Sequence, residues 1–219
     1  MSTSRVIDFF LLNDLPNPWK LADIPADLPF DSHGWFSHEN MTDIMQWASQ
    51  RGEIHTVIEL GSWLGKSTRF FADLADLVIA IDHWEGSPEH HLPDRHDVRE
   101  RLQNLFPSFL RNCRGYEDVI APVRATTVDA AQLEFPPADI IYVDADHSFE
   151  GVLADLRNFF PKRAPGGLFC GDDWKWTDPQ DRLPVREAVT KFAADERLIL
   201  TAHGNFWRLE LPEDRKHGD

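Results

Sequence analysis

From residue 54 onward, short β-branched segments alternate with segments whose apolar residues recur at helical spacing. Strands that alternate with helices in this way build a parallel sheet with helices on both faces. Near the end of the chain, two strand-like segments flank a His-Gly-Asn turn and predict a hairpin that adds one antiparallel strand. Pro122 indicates an edge position for the third strand, because proline cannot donate to a strand ladder. The predicted strands are 54–60, 77–82, 119–125, 139–144, 167–173, 198–202 and 206–211.

The first 36 residues differ from this pattern. Several prolines lie there among scattered aromatic residues, and prolines at that density prevent long helices. We therefore predict an N-terminal arm over residues 1–36. The 219-residue chain is otherwise long enough for one α/β domain, which we place at residues 37–219.

The composition excludes several classes of protein. Acidic residues outnumber Lys and Arg by 37 to 22, a formal net charge of −15, and this field repels nucleic acid and anionic membranes. No apolar run reaches the roughly 18–20 residues of a membrane span, and Asp8 interrupts the first apolar segment, which is too short for a secretory signal. The 2 cysteines make neither a metal cluster nor a disulfide framework. We expect a soluble, cytoplasmic protein, and a homo-oligomer is compatible with this composition.

A glycine turn, Gly61-Ser62-Trp63-Leu64-Gly65, joins the first strand to a helix. A dinucleotide site requires G-x-G-x-x-G, and here a bulky pair replaces the middle glycine. A P-loop requires G-x-x-x-x-G-K-[ST], and Gly65-Lys66-Ser67 matches its end. This loop is one residue short, however, and Glu59 places a carboxylate beside it. A P-loop-like nucleotide-hydrolysing enzyme remains as an alternative.

A third interpretation fits the acidic residues that surround the loop. Asp82 ends the second strand about 20 residues further on, where a carboxylate accepts hydrogen bonds from ribose hydroxyls. The glycines let the chain pass close to a ligand, and Glu59 is compatible with positive charge on it. A nucleoside that has no phosphates and carries a cationic centre suits this site. S-adenosylmethionine (SAM) is such a ligand.

Four motifs follow one another at the ends of successive strands: ELGSWLGKST (59–68), AIDHW (80–84), IIYVDADHSFEGVLADL (140–156) and APGGLFCGDDW (164–174). In this order they resemble the class I SAM-dependent methyltransferases over roughly residues 54–211. The second half is similar to the small metal-dependent O-methyltransferases, including those that act on antibiotic sugars, and to cephalosporin hydroxylase-like proteins. The resemblance implies a Rossmann-like, doubly wound, mostly parallel sheet of order 3-2-1-4-5-7-6 with one antiparallel C-terminal strand. The SAM-binding residues that it implies are Glu59, Gly61, Ser62, Trp63, Gly65, Ser67, Asp82, His83, Thr126 and Asp144.

That strand order places Asp144, Asp172 and Asp173 along one rim of the sheet. Carboxylates that lie so close repel each other unless a cation or protons intervene. Oxygen ligands of this kind suit Mg²⁺ or Mn²⁺. The resembled enzymes use an aspartate after the fourth strand and an acidic pair after the fifth, which implies a metal site at these three residues. The alternative is that the aspartates only cap a turn and a helix.

His147 lies three residues after Asp144, and the resemblance implies a catalytic role for both. A hydroxyl acceptor must lose its proton during methyl transfer, so His147 is a candidate general base, and the alternative is a histidine that caps a helix. Tryptophans exposed near the same rim would stack on an acceptor. We assign this substrate role to Trp84, Trp174 and Trp176.

The predicted function is SAM-dependent, divalent-metal-assisted O-methylation of a small hydroxylated molecule. A non-catalytic SAM- or metal-binding protein is a further alternative. A metal-dependent oxygenase or hydrolase would need a second histidine at the rim. Residues 83–97 form a polar insert that we predict to be a mobile loop beside the acceptor pocket.

Overall fold

The structure, a computed structural model, describes residues 4–22, 24–91 and 96–212. Its strands have the following bounds: β1 Ile54–Leu60, β2 Ala75–Asp82, β3 Ile120–Arg124, β4 Ala138–Val143, β5 Arg163–Gly171, β6 Ile199–His203 and β7 Phe206–Glu210. They form one sheet in the order β3-β2-β1-β4-β5-β7-β6. β7 is antiparallel to β5 and β6, and the pairs formed by β1 to β5 are parallel. This confirms the predicted fold class and strand order, and β3 with Pro122 lies at an edge.

The helices of the described residues connect these strands. Their bounds are α1 Arg5–Leu12, α2 Pro18–Leu21, α3 His38–Ala48, α4 Lys66–Ala72, α5 His96–Leu102, α6 Leu105–Asn112, α7 Thr127–Ala130, α8 Phe149–Phe159 and α9 Pro184–Asp195. α8 shows why a helix forms where the sequence predicts one. The Ser148 hydroxyl accepts from the Gly151 N–H at 3.1 Å and caps the first turn. Val152, Leu156 and Phe159 then follow at helical spacing and are buried.

Two apolar layers cover the sheet. On one face, residues of α1, α7, α8 and α9 pack against the strands. On the other face, α3, α4 and α6 do so. α1 contributes Val6, Phe9 and Phe10 to the first layer, each at most 4% exposed. Residues that were assigned to the arm therefore form part of the core, and the domain division at residue 36 stays a prediction.

The insert at residues 83–97 is described only in part. Pro88–His91 forms a short 3₁₀ turn and α5 begins at His96, whereas residues 92–95 lie outside the described residues. Its mobility stays a prediction. In the part of the chain that the structure describes, no helix is long and apolar enough to cross a membrane.

Candidate functional site

The glycine turn after β1 lies directly against the loop after β4. Gly61 has φ +85°, and its N–H donates to the Ile81 carbonyl at 2.8 Å. A Cβ at Gly61 would overlap the carbonyl oxygen of Asp144. Gly65, with φ +81°, directly precedes α4 and has no room for a side chain because the Cys113 thiol lies beside it. The two glycines are therefore required by backbone conformation and by close approach.

Asp82 organises this turn from the end of β2. Its Oδ2 accepts from the N–H groups of Ser62 at 3.1 Å and Trp63 at 2.9 Å. Its Oδ1 accepts from the Trp84 N–H at 2.6 Å. Burial raises the pKa of Asp82, and the three N–H donors oppose that shift. A carboxylate thus occupies the amides that a P-loop would offer to phosphate. Lys66 donates instead to the Gly34 carbonyl at 3.0 Å, so the nucleotide-hydrolysing alternative is not supported.

Glu59 lies beneath the same turn and is fully buried. Its Oε2 accepts from the hydroxyls of Ser62 at 2.7 Å and Thr68 at 2.5 Å, and Ser67 donates to the same carboxyl group. Burial raises the pKa of Glu59 to about 7, although the hydroxyl donors oppose the shift. Oε1 has no hydrogen-bond partner among the described residues. The predicted residues Glu59, Ser62 and Ser67 therefore form one buried network.

Segment 31–36 covers the turn from outside, which the sequence did not indicate. The Trp63 indole N–H donates to His33 Nδ1 at 3.1 Å. The Trp35 ring lies 5.5 Å from the Trp63 ring, and both contact His90 from the insert. The arm thus places aromatic rings beside the predicted cofactor site. The signal that could have indicated this is the pair Trp35-Phe36 at the end of the arm.

A second group of side chains lies where β4 and β5 end. One ligand atom each from Asp144, His147 and Asp173 lies within 4.8 Å of the others. His147 Nε2 is 2.9 Å from Asp173 Oδ2. Burial and the neighbouring carboxyl groups of Asp173 and Asp172 raise the pKa of Asp144 well above its usual range. This carboxylate cluster brings together Asp144 and Asp173, as predicted, and adds His147 as a neighbour.

Asp172 lies beside this cluster and is bonded to residues behind it. Its carboxylate accepts from the Asp173 N–H at 2.8 Å and from the Tyr142 hydroxyl at 3.3 Å. Asn40, on α3, donates to the same hydroxyl at 2.9 Å. Burial and the charge of Asp173 raise the pKa of Asp172 to about 6. Asp172 therefore lies outside the converging group, because its side chain is held from behind by residues that the sequence analysis did not identify.

The three tryptophans have different environments. Trp84 is 3% exposed and packs against Phe106 and Phe109 at 4.6 and 4.7 Å between ring centres. The expectation of an exposed Trp84 is therefore wrong, because α6 covers this ring. Trp176 is half-buried, with its ring 4.8 Å from that of His147. Trp174 is half-buried and packs against the core.

The remaining predicted residues lie at the same rim, at the ends of β2 and β3. His83 Nδ1 accepts from the Glu85 N–H at 2.9 Å. Thr126 is exposed and caps α7 by accepting from the Asp129 N–H at 3.1 Å. Parallel strands bind ligands outside their carboxyl ends. The predicted SAM residues thus lie at or beneath the carboxyl ends of the parallel strands, and their role in binding the cofactor stays a prediction.

Comparison with known proteins agrees with this arrangement. The model of the methyltransferase-domain family matches residues 58–174, which is more than half of the chain. The O-methyltransferase from Bacillus cereus, solved in complex with S-adenosylhomocysteine (SAH), aligns with a TM-score of 0.57 at 16% identity, over 96% of this chain and 92% of that one. The MycE methyltransferase of the mycinamycin biosynthetic pathway, solved with Mg, SAH and mycinamycin VI, aligns with a TM-score of 0.54 at 17% identity, over 86% and 53%.

A curated relative gives a more limited match. The uncharacterized protein y4gI of Sinorhizobium fredii (strain NBRC 101917 / NGR234) is 26% identical over 163 residues, which are 70% of this chain. The chain spans 17% of the length of that relative. At such identities the solved structures establish the fold, and the family match establishes the membership. The chain belongs to the methyltransferase-domain family and has the Rossmann-like fold of the class I SAM-dependent methyltransferases, as its motifs predicted.

Proposed function

We propose that the chain is a SAM-dependent methyltransferase that methylates a hydroxyl group of a small molecule with the help of a divalent cation. The observation that carries this proposal is the contact between Gly61 and the Asp144 carbonyl. It places the predicted cofactor turn and the carboxylate cluster side by side. A methyl donor bound at the turn would therefore lie next to an acceptor held at the cluster.

The turn fits SAM in shape and charge. Asp82 and Glu59 supply negative charge, and the N–H groups of Gly61 and Gly65 already donate to backbone carbonyls and are not offered to a phosphate. SAM would supply the methyl group as an electrophile. In this proposal Asp82 accepts from the ribose hydroxyls while it keeps the backbone of the turn in place. The positive centre of the ligand would lie near Glu59 and Asp144.

The carboxylate cluster fits a divalent cation. Two carboxylates and one imidazole offer ligand atoms within 4.8 Å of one another, and oxygen-rich sites of this kind suit Mg²⁺ or Mn²⁺. Burial and, after it, repulsion from the neighbouring carboxyl groups raise the pKa of Asp144, and a cation would relieve that repulsion. The ligands in this proposal are Asp144, Asp173 and His147. The Asp172 carboxylate accepts from the Asp173 N–H, so in this proposal it positions Asp173 and is not a ligand.

The atom that His147 can use limits its role. Nδ1 is buried, whereas Nε2 faces Asp173. A histidine that binds a cation through Nε2 cannot accept a proton at that atom. The ligand role and the base role are therefore exclusive, and chelation separates them. If turnover persists without a cation, Nε2 of His147 would accept the proton, and Asp173 would stabilise the imidazolium that forms.

The proposed acceptor is a small hydroxylated molecule. A net charge of −15 disfavours a nucleic acid. Trp176 lies beside His147 and is half-buried, so one of its faces can pack on an acceptor ring. Trp174 is the second candidate for this role. The MycE methyltransferase, which is similar in fold, binds mycinamycin VI together with Mg and SAH.

The test begins with calorimetric titration of SAH, with and without Mg²⁺. We expect one SAH site per chain. Methyl transfer from labelled SAM to a panel of hydroxylated small molecules then measures turnover. Binding of SAH without turnover on any acceptor would favour a non-catalytic binding protein. Absence of SAH binding would contradict the proposed function.

A further inference from the structure

A cavity of about 600 Å³ lies on the outer side of α4, away from the strand ends. Its walls come from the arm, α3, α4, the end of α6 and the loop after it. The residues that line it include none from the carboxyl ends of the strands. Its volume falls within the roughly 300–1,000 Å³ that is usual for small-molecule sites. The cavity is therefore separate from the site described above.

The charge of this cavity is opposite to that of the chain. Three arginines line it, Arg69, Arg111 and Arg114, against one aspartate, Asp73. The chain as a whole carries a formal charge of −15. A cluster of guanidinium groups in such a chain attracts anions locally, and guanidinium groups bind carboxylate and phosphate through paired hydrogen bonds.

No carboxylate forms an ion pair with these arginines in the described part of the chain. Arg69 donates through Nε to the Gly65 carbonyl at 3.1 Å, and Arg111 donates through Nε to the Leu28 carbonyl at 3.2 Å. These bonds hold the side chains and leave their positive charge in place. Asp73 accepts from the Tyr116 hydroxyl at 2.7 Å instead. Arg114 is exposed and has no hydrogen-bond or ion-pair partner among the described residues.

Apolar and aromatic side chains form the rest of the wall. Phe30 is 49% exposed, and the Arg69 guanidinium lies 4.7 Å from its ring centre. Phe70, Tyr116 and Met41 also line the cavity. An inorganic anion would leave this surface in contact with water, whereas an aromatic group would cover it. The wall and the arginines together therefore favour a ligand that has both an anionic group and an aromatic or apolar group.

We infer that this cavity binds a small organic anion, in which a phosphate or carboxylate group is attached to an aromatic or other apolar body. The anionic group contacts Arg111 and Arg114, and the apolar body packs on Phe30 and Tyr116. This site does not depend on the proposed methyl transfer. It also lies behind the glycine turn, because Arg69 holds the Gly65 carbonyl.

The experiment is calorimetric titration with 1-naphthyl phosphate and 1-naphthoate, which carry the two anionic groups on one aromatic body. Inorganic phosphate and 1-naphthol test the charged part and the aromatic part alone. Saturating SAH is added in a parallel titration. We expect one site for an aromatic anion, no competition by SAH, and binding at least about tenfold weaker for phosphate and for naphthol.

Two variants locate the site. Arg114→Glu changes an exposed side chain that holds no other residue, so the fold is retained, and we expect affinity to fall about tenfold or more. The double variant R111Q/R114Q should lose more. Arg157→Gln, which changes an exposed arginine on α8, is the matched control and should bind as the parent protein does. Competition by SAH, unchanged affinity in Arg114→Glu, or equal affinity for naphthol and the aromatic anions would overturn the inference.

Discussion

The glycine turn and the carboxylate cluster lie side by side but differ in how their charges are balanced. In the turn, the Asp82 carboxylate accepts from three backbone N–H groups, and hydroxyl groups donate to Glu59. In the cluster, the carboxyl groups of Asp144 and Asp173 lie beside one imidazole, and burial together with the neighbouring aspartates raises the pKa of Asp144. The polar groups of the turn thus have partners before a ligand binds. The cluster, by contrast, carries negative charge that a bound cation can balance.

This difference separates two kinds of contribution to a site. A turn whose polar groups already have partners selects a ligand by shape and by the few acceptor positions that remain. A cluster of repelling carboxylates selects a ligand by charge, and it stabilises the protein most when that ligand is bound. Substitutions in the two regions should therefore affect different measurements, and the following variants test that separation.

The largest effect is expected for Asp144→Asn. The amide keeps the size of the side chain and removes its charge, so we expect turnover to fall about a thousandfold, or about 4 kcal/mol. Mg²⁺ should no longer raise the melting temperature, while SAH affinity measured by calorimetry changes little. Asp146→Asn, on the same loop but exposed, is the matched control. Turnover that survives exhaustive chelation would exclude the metal role and leave His147 as the candidate base.

Gly61→Ala should affect the turn and the cluster together, because this residue contacts both regions. A Cβ at this position meets the Asp144 carbonyl, and φ is +85°. We expect the free energy of unfolding to fall by about 3 kcal/mol. Gly115→Ala has a similar φ of +95° with no atom within 4 Å of the new Cβ, so it should cost only about 1 kcal/mol. Equal losses in the two variants, measured by urea unfolding, would remove the steric argument.

Glu59→Gln tests whether the turn also holds charge that is not fully balanced. The folded-state pKa of about 7 lies above the ordinary value of 4.5. The contribution of Glu59 is fully present below about pH 4.5 and is lost as the pH rises towards 7, because the unfolded chain ionises first. The amide removes this dependence, which corresponds to about 2–3 kcal/mol. Parallel stability curves between pH 4.5 and 7 for parent and variant would contradict the assignment.

Asp82→Ala should give the smallest loss in a ligand measurement, a weaker cofactor affinity, and it should also lower the free energy of unfolding because three backbone N–H groups lose their acceptor. Loss of a charged acceptor for the ribose hydroxyls weakens SAH binding by roughly 1.5–3 kcal/mol. The stabilisation by Mg²⁺ should remain, since the cluster is unchanged. Calorimetry on the folded variant measures the first effect and a thermal melt the second. Unchanged SAH affinity would remove Asp82 from the binding site.

The motifs indicated most of this arrangement, because local sequence determines most of it. Gly61 and Asp82 could be identified since a glycine turn and an acidic strand end are set by neighbouring residues. The burial of Trp84 could not, because it depends on Phe106 and Phe109 in a helix beyond the insert. The bounds of β1 were predicted correctly, whereas β5 begins at Arg163, four residues before its apolar run.

The motifs also did not indicate the residues that support the cluster from behind. Asn40 and Tyr142 are 102 residues apart, and no local pattern connects them. Tyr142 gave the one available signal, a hydroxyl inside an aliphatic strand. The orientation of Asp172 depends on that hydroxyl. Adjacent acidic residues at a strand end therefore cannot be assigned to a common ligand until the packing on both faces is known.

The hydrogen bonds of Asp82 also bear on the order in which the protein folds. They join residues 20 and 19 positions apart, within one β-α-β segment. The link from Asn40 to Tyr142 spans 102 positions and requires α3 to pack on β4, and the bond from Tyr142 to Asp172 also requires β5. Short loops close at a lower cost in chain entropy than long ones. The half of the site that faces the cofactor should thus form early in folding, and the acidic half should acquire its geometry only when the last strands dock.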